Sequence, residues 1–138
     1  MRFIDANVFI YAILKPRSTL PPAVLKKKNA ARDIFLRANA GEPVLTTTVH
    51  LSEVANVLED AGGIDFAADL ISAVLVKPTI EVEPVTSDDY RESAERAKKE
   101  GVSVNDALAL VVMERRGIGE IYTFDRHFEK APVRVVQK

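Results

Sequence analysis

Two kinds of segment take turns along this chain, and the alternation limits the folds open to it. Pro43 to Thr47 (PVLTT), Thr79 to Val85 (TIEVEPV), Glu120 to Asp125 (EIYTFD) and Val133 to Val136 (VRVV) are short and rich in β-branched residues, the composition of strands. The opening FIDANVFI joins them, because Phe3, Ile4, Ala6, Val8, Phe9 and Ile10 make the near-continuous apolar run of a parallel strand covered on both faces. Longer stretches with helical spacing lie between: Ala23 to Ala40, Thr48 to Ala61, Phe66 to Val76, Asp88 to Glu100 and Val104 to Arg116. Gly41, Gly62 with Gly63, Gly101 and Gly117 fall just past four of them, where a helix end favours glycine. Strands alternating with helices predict an α/β fold whose mostly parallel sheet carries helices on both faces. Two long helices between the second and third strands are the unusual feature.

A chain of 138 residues, 47% of them hydrophobic, suits one domain spanning residues 1–138. Pro16 to Pro22 (PRSTLPP) reads as a stiff surface loop within it. The formal charge of −1 excludes the strongly basic footprint of a protein that grips nucleic acid mainly by counterion release. Cysteine is absent, which removes disulfides, cysteine-based zinc sites and a cysteine nucleophile. The apolar run Ala6 to Leu14 is too short to span a bilayer, and no targeting segment is read, so a cytoplasmic protein without membrane attachment is expected.

Four acids are hard to place as solvated charges. Asp5 interrupts the opening apolar run, where a bare carboxylate without a partner costs several kcal/mol; the simpler reading is a strand-end residue capping a turn. Glu53 has Val49 one turn above and Val57 one turn below, opposite the core stripe Leu51, Val54, Ala55 and Leu58, although a lone helical glutamate is usually just exposed. Asp106 precedes seven apolar residues, Ala107 to Met113, the pattern of a buried helix; with Ser103 it also has the spacing of a capping box. Asp125 follows the apolar Ile121 to Phe124, at the carboxyl end of a strand where α/β sheets bind ligands, or else it is a turn residue in TFDRH. Asp88 and Asp89 read as first-turn acids of a helix, and Asp33, Asp60, Asp65 and Asp69 as solvated.

Together these residues resemble the PIN-domain nucleases, and among them the small single-domain toxins of VapC type. The likeness covers nearly the whole chain: FIDANVFIYA at the first strand, the glutamate of LSEVANVL, NDALAL opening a buried helix, and IYTFDRHFEK after the last main strand. Any one of these is weak, but four in this order and spacing are specific. The resemblance implies a three-layer α/β/α sandwich around a short parallel sheet. It implies an endoribonuclease in which Asp5, Glu53, Asp106 and Asp125 form the catalytic, metal-holding set for Mg²⁺ or Mn²⁺, with Asn7 and Thr123 assisting. It also implies an RNA substrate, a small antitoxin partner and a homodimer. A bound cation would explain the opening run, since converging carboxylates repel one another and a hard cation removes that repulsion. Arg126 and His127, next to Asp125, are candidates for contacting RNA, whereas Lys26, Lys27, Lys28 and Arg32 form a charge run of the usual solvated kind. His50 and His127 are far apart in sequence, which gives little support to a paired-histidine mechanism. The rivals are a housekeeping RNA-processing nuclease, a non-catalytic binding protein of the same fold, and a phosphatase with an aspartyl nucleophile. The last would usually want a second acid at position 7, which is Asn.

Overall fold

A computed structural model describes residues 1–16 and 18–137; Arg17, in the predicted PRSTLPP loop, lies outside the described residues. The five strands are β1 (Arg2–Ile4), β2 (Val44–Thr47), β3 (Ile80–Glu83), β4 (Glu120–Tyr122) and β5 (Arg134–Val136). They form a single sheet in the order β3-β2-β1-β4-β5, and each neighbouring pair is parallel. The register sets Phe3 beside Leu45 and Ile121, so the three central strands end together. The helices are α1 (Ala6–Ile13), α2 (Pro22–Ala40), α3 (Thr48–Gly62), α4 (Ile64–Leu75), α5 (Ser87–Glu100) and α6 (Val104–Arg116).

Strand alternation divides the core in two. Ile4, Val44 and Tyr122 pack on one side with Phe9 of α1, Ile34 of α2, Leu51 and Leu58 of α3 and Val74 of α4. Phe3, Leu45 and Ile121 face the other way, onto Leu108, Leu110 and Met113 of α6. The result is the three-layer α/β/α sandwich, with a sheet that is wholly parallel. Residues 107–113 are all buried, as expected of a helix apolar on every side. Gly101 and Gly117 close α5 and α6 in the left-handed conformation (φ 70° and 67°), which glycine adopts without the steric penalty of a Cβ.

The opening run corrects the sequence reading. Only Arg2–Ile4 is a strand, and the chain turns helical at Ala6. A short run that is apolar on all sides looks the same in either conformation. Asp5 decides the matter: its backbone is extended (φ −79°, ψ 155°), its N–H still donates to the Tyr122 carbonyl across the sheet, and its Oδ1 accepts from the Ala6 N–H. It therefore ends the strand and caps the helix in one residue. The C-terminal end of α1 is held by Lys28, whose Nζ donates to the Tyr11 and Leu14 carbonyls, so one lysine of the supposed solvated run closes the α1–α2 corner. No helix among the described residues is long and apolar enough to cross a membrane.

Candidate active site

In a fully parallel sheet every strand delivers the next segment of chain to the same edge, and that edge collects the four acids. Asp5 follows β1 directly, Glu53 lies in the second turn of the helix that follows β2, and Asp125 comes three residues after β4. Asp106 reaches the same place from the first turn of α6, whose N-cap is Ser103. The cap and the site use different atoms of Asp106. Its backbone N–H donates to Ser103 Oγ (3.1 Å), while Oδ2 lies 3.9 Å from His127 Nδ1.

Asp5 is buried, and both of its oxygens are occupied. Oδ1 accepts from the Ala6 N–H (2.8 Å) and Oδ2 from the Thr123 hydroxyl (2.7 Å). Thr123 Oγ1 in turn accepts from Asn7 Nδ2 (3.3 Å) and from the Asp125 N–H (3.0 Å), and Asn7 Oδ1 accepts from the Phe124 N–H (3.3 Å). Thr123 and Asn7 thus clasp the end of β4 to the start of α1 and fix the spacing of Asp5 and Asp125. Asp125 caps the 3-10 turn Arg126–Lys130 by accepting from the His127 N–H (2.9 Å). That turn brings the His127 ring back, with Nδ1 3.1 Å from Asp125 Oδ1. Arg126 and the His127 side chain are exposed beside the cluster. Glu53 is half-buried and fixed from α6, accepting from Asn105 Nδ2 at 2.6 Å; Asn105 Oδ1 accepts from the Tyr90 hydroxyl at 3.2 Å.

The electrostatics of the set differ from those of every other shielded acid. Eight acids are buried or half-buried, and four of them carry an arginine: Glu83 and Asp89 pair with Arg115, Glu42 with Arg2, and Glu120 with Arg2 and Arg134. The other four are Asp5, Glu53, Asp106 and Asp125, and among the described residues none has a lysine or arginine within ion-pair distance. Their charges are felt. Asp106 is pushed up to about 6, first by burial and then by the charges of Asp125 and Asp5, against the Ser103 hydrogen bond and His127. Asp5 is also raised, chiefly by burial and in part by Asp125, although the Thr123 and Ala6 hydrogen bonds favour its ionised form.

Two carboxylates and an imidazole within reach of one point are a donor set that fits a divalent cation. Asp106, Asp125 and His127 each offer one ligand atom, and these atoms lie within 4.8 Å of one another. Among the described residues this compact group includes neither Asp5 nor Glu53. Sequence reasoning placed His127 with RNA, whereas its ring turns toward two carboxylates.

Two polar residues at the site were not singled out from sequence. Asn105 was hidden by its neighbour Asp106, although an amide directly before a site acid is a natural tether for a second one. His50 lies on α3 one turn before Glu53 and is buried, with its ring edge-on to Phe3 at 5.0 Å between centroids. Its Nε2 is 3.9 Å from Asp5 Oδ1, and burial pushes its pKa down to about 4 against the opposing charge of Glu53. The only sequence signal was its position at the third residue of a Thr-capped helix.

Comparison with known proteins agrees with this architecture. The family model for the PIN domain matches residues 2–133. The fold is similar to that of Mycobacterium tuberculosis VapC20, described as a sarcin-ricin loop cleaving toxin (TM-score 0.79, 22% identity, 100% of both chains covered). It is also similar to a toxin-antitoxin complex from Klebsiella pneumoniae (TM-score 0.67, 16% identity, 99% of this chain and 96% of that one). A third similar structure is VapBC2 from Rickettsia felis bound to a DNA fragment from its promoter (TM-score 0.65, 13% identity, 98% and 96%). No curated protein matches the sequence. With a parallel sheet that gathers Asp5, Glu53, Asp106 and Asp125 at one edge and a family match over nearly its whole length, the chain belongs to the PIN domain family.

Proposed function

We propose that the protein is a divalent-metal-dependent endoribonuclease, the toxin of a VapBC-like toxin-antitoxin pair. The observation that carries the reading is the division of the shielded acids: four are neutralised by arginine, and the four at the carboxyl edge have, among the described residues, no lysine or arginine partner. Burial and the neighbouring carboxylates raise Asp5 and Asp106, a cost to the empty fold that a bound cation would remove. Asp106, Asp125 and Asp5 are the ligands we assign to Mg²⁺ or Mn²⁺, with Glu53 as a further or water-mediated ligand. Such an ion, when bound, supplies a water of lowered pKa and offsets charge building on the scissile phosphate.

This chain's own residues do the rest. Thr123 and the Ala6 N–H hold Asp5 in one orientation, Asn105 holds Glu53, and Asn7 ties the start of α1 to the chain just before Asp125. Arg126, exposed on the turn after Asp125, would supply positive charge to an RNA backbone that the acids otherwise repel, while the His127 ring faces Asp125 and Asp106. The solved toxin-antitoxin complexes of similar fold support a small antitoxin partner, and the reading extends to a homodimer that works in the cytoplasm.

The test is cleavage of labelled single-stranded RNA and of an RNA carrying the sarcin-ricin loop by purified protein. Mg²⁺ or Mn²⁺ should support cleavage, EDTA should abolish it, and Asp5→Asn or Asp106→Asn should remove it with the circular dichroism spectrum unchanged. Full cleavage in a thoroughly chelated sample would refute the metal reading.

A further inference from the structure

His50 is more tightly specified than a core histidine needs to be. Thr47 is the N-cap of α3, and its Oγ1 accepts from the His50 backbone N–H (3.2 Å) while lying 2.6 Å from His50 Nδ1. The Thr47 hydroxyl has one proton to give, and among the described residues Nδ1 is the one acceptor it reaches. If the hydroxyl gives that proton to Nδ1, the ring carries its own proton on Nε2. The ring cannot turn away, because Phe3 packs edge-on against it and only 2% of the side chain is exposed. Nε2 then lies 3.9 Å from Asp5 Oδ1.

We propose that His50 is a positioning residue for Asp5: with its tautomer set by Thr47, it presents the Nε2–H to Asp5 Oδ1 and holds that carboxylate in the orientation that ligates a divalent cation. The 3.9 Å separation is longer than a hydrogen bond, and bonds of this kind close when an active site is loaded. The chemistry suits the place. An arginine here would neutralise Asp5 and compete with the cation, whereas an uncharged N–H orients the carboxylate and leaves its charge available. The inference rests on the metal-dependent reading above.

The experiment measures Mn²⁺ affinity by electron paramagnetic resonance and the ring tautomer by ¹H–¹⁵N NMR, which needs no metal. In wild type, Nδ1 should resonate as the unprotonated nitrogen and Nε2 as the protonated one. His50→Leu should weaken Mn²⁺ binding about 10-fold or more, the usual range for removing a group that orients a ligand. His50→Gln, whose amide reaches the Nε2 position, should recover most of it. His50→Asn, which reaches only the Nδ1 position, should not; this pair decides the matter if His50→Leu does not fold. Thr47→Val should mix the tautomers and weaken binding, and Thr47→Ser should do neither. A protonated Nδ1 in wild type overturns the proposal, as does Mn²⁺ affinity unchanged in His50→Leu or equal in the Gln and Asn variants. If wild type binds no Mn²⁺ while its tautomer is as stated, the metal reading itself falls and takes the positioning role with it.

Discussion

Replacing Asp106 with asparagine should stabilise the metal-free protein at alkaline pH. Folding carries Asp106 from its ordinary 3.8 to about 6. At about 1.4 kcal/mol per pH unit, keeping it ionised in the fold opposes folding by about 3 kcal/mol. The carboxyl is only partly shielded from water, so we halve this to about 1.5 kcal/mol. One effect opposes the gain: Asp106 lies in the first turn of α6, where a negative charge favours the helix by about 0.5 kcal/mol. The net is about 1 kcal/mol, so the cost of burying the charge beside Asp125 and Asp5 outweighs the helix-end effect. For a chain of this size that raises the melting temperature by about 3–4 °C. The backbone N–H bond to Ser103 survives the substitution, so the cap is not in play. The sign with pH follows from the raised value. The stabilising effect of protonating Asp106 is complete below 3.8 and is lost as pH rises through about 6, so the advantage of asparagine should be full at pH 8 and clearly smaller at pH 4.5. Thermal unfolding followed by circular dichroism in EDTA at both values is the assay. Adding Mn²⁺ at pH 8 should reverse the order, since about a hundredfold excess over the dissociation constant contributes about 2.7 kcal/mol to wild type and little to the variant. Equal or lower melting of Asp106→Asn at pH 8 in EDTA, with a gap that does not change at pH 4.5, would refute the argument.

Asn105→Ala should leave the fold intact and free the Glu53 carboxylate, which now accepts from Asn105 Nδ2 at 2.6 Å. RNA cleavage should drop about 10-fold through kcat while Mn²⁺ binding weakens in parallel, and a change confined to melting temperature would assign Asn105 to structure alone. Arg115→Met is the contrasting case, because Arg115 joins Asp89 (2.6 Å) and Glu83 (2.5 Å) away from the acid cluster. It should lower stability by about 1–2 kcal/mol at pH 7, with the Mn²⁺ response preserved. The Arg115 hydrogen bond holds Asp89 below its ordinary 3.8, so this loss should shrink as pH falls through that range; urea titrations at pH 7 and pH 3 would show it.

What was legible in the sequence follows from how local each signal is. Helix ends were read within about two residues, because caps and left-handed glycines act on their own neighbours: Thr86 and Asp89 form a complete capping box at the start of α5, and Gly101 closes it. The opening run failed for the opposite reason. Ala6, Val8 and Phe9 are buried whether that segment is a central strand or a helix wedged against α2 and α3, and burial on all sides erases the periodicity that separates the two. Only the Asp5 side chain carried the information, and it was already spoken for as a site residue.

The site divides in the same way. Acids were visible because a carboxylate among apolar neighbours contradicts its surroundings wherever it occurs. Residues that answer to those acids do not stand out from their own neighbours, since their meaning depends on contacts across the fold: Thr123, reached only through the family resemblance, bonds a residue 118 positions away, and Asn105, which was missed, one 52 positions away. The same distinction bears on Asp89, which the sequence reading gives no role. In sequence it is one more first-turn acid, and in the fold it is buried as deeply as Asp5. It differs in having Arg115, which α6 delivers to it across the face of α5. Burial alone therefore does not separate the four acids at the carboxyl edge from the rest. What separates them is burial combined with the absence, among the described residues, of a paired lysine or arginine, a property of pairs that no single position in the sequence displays.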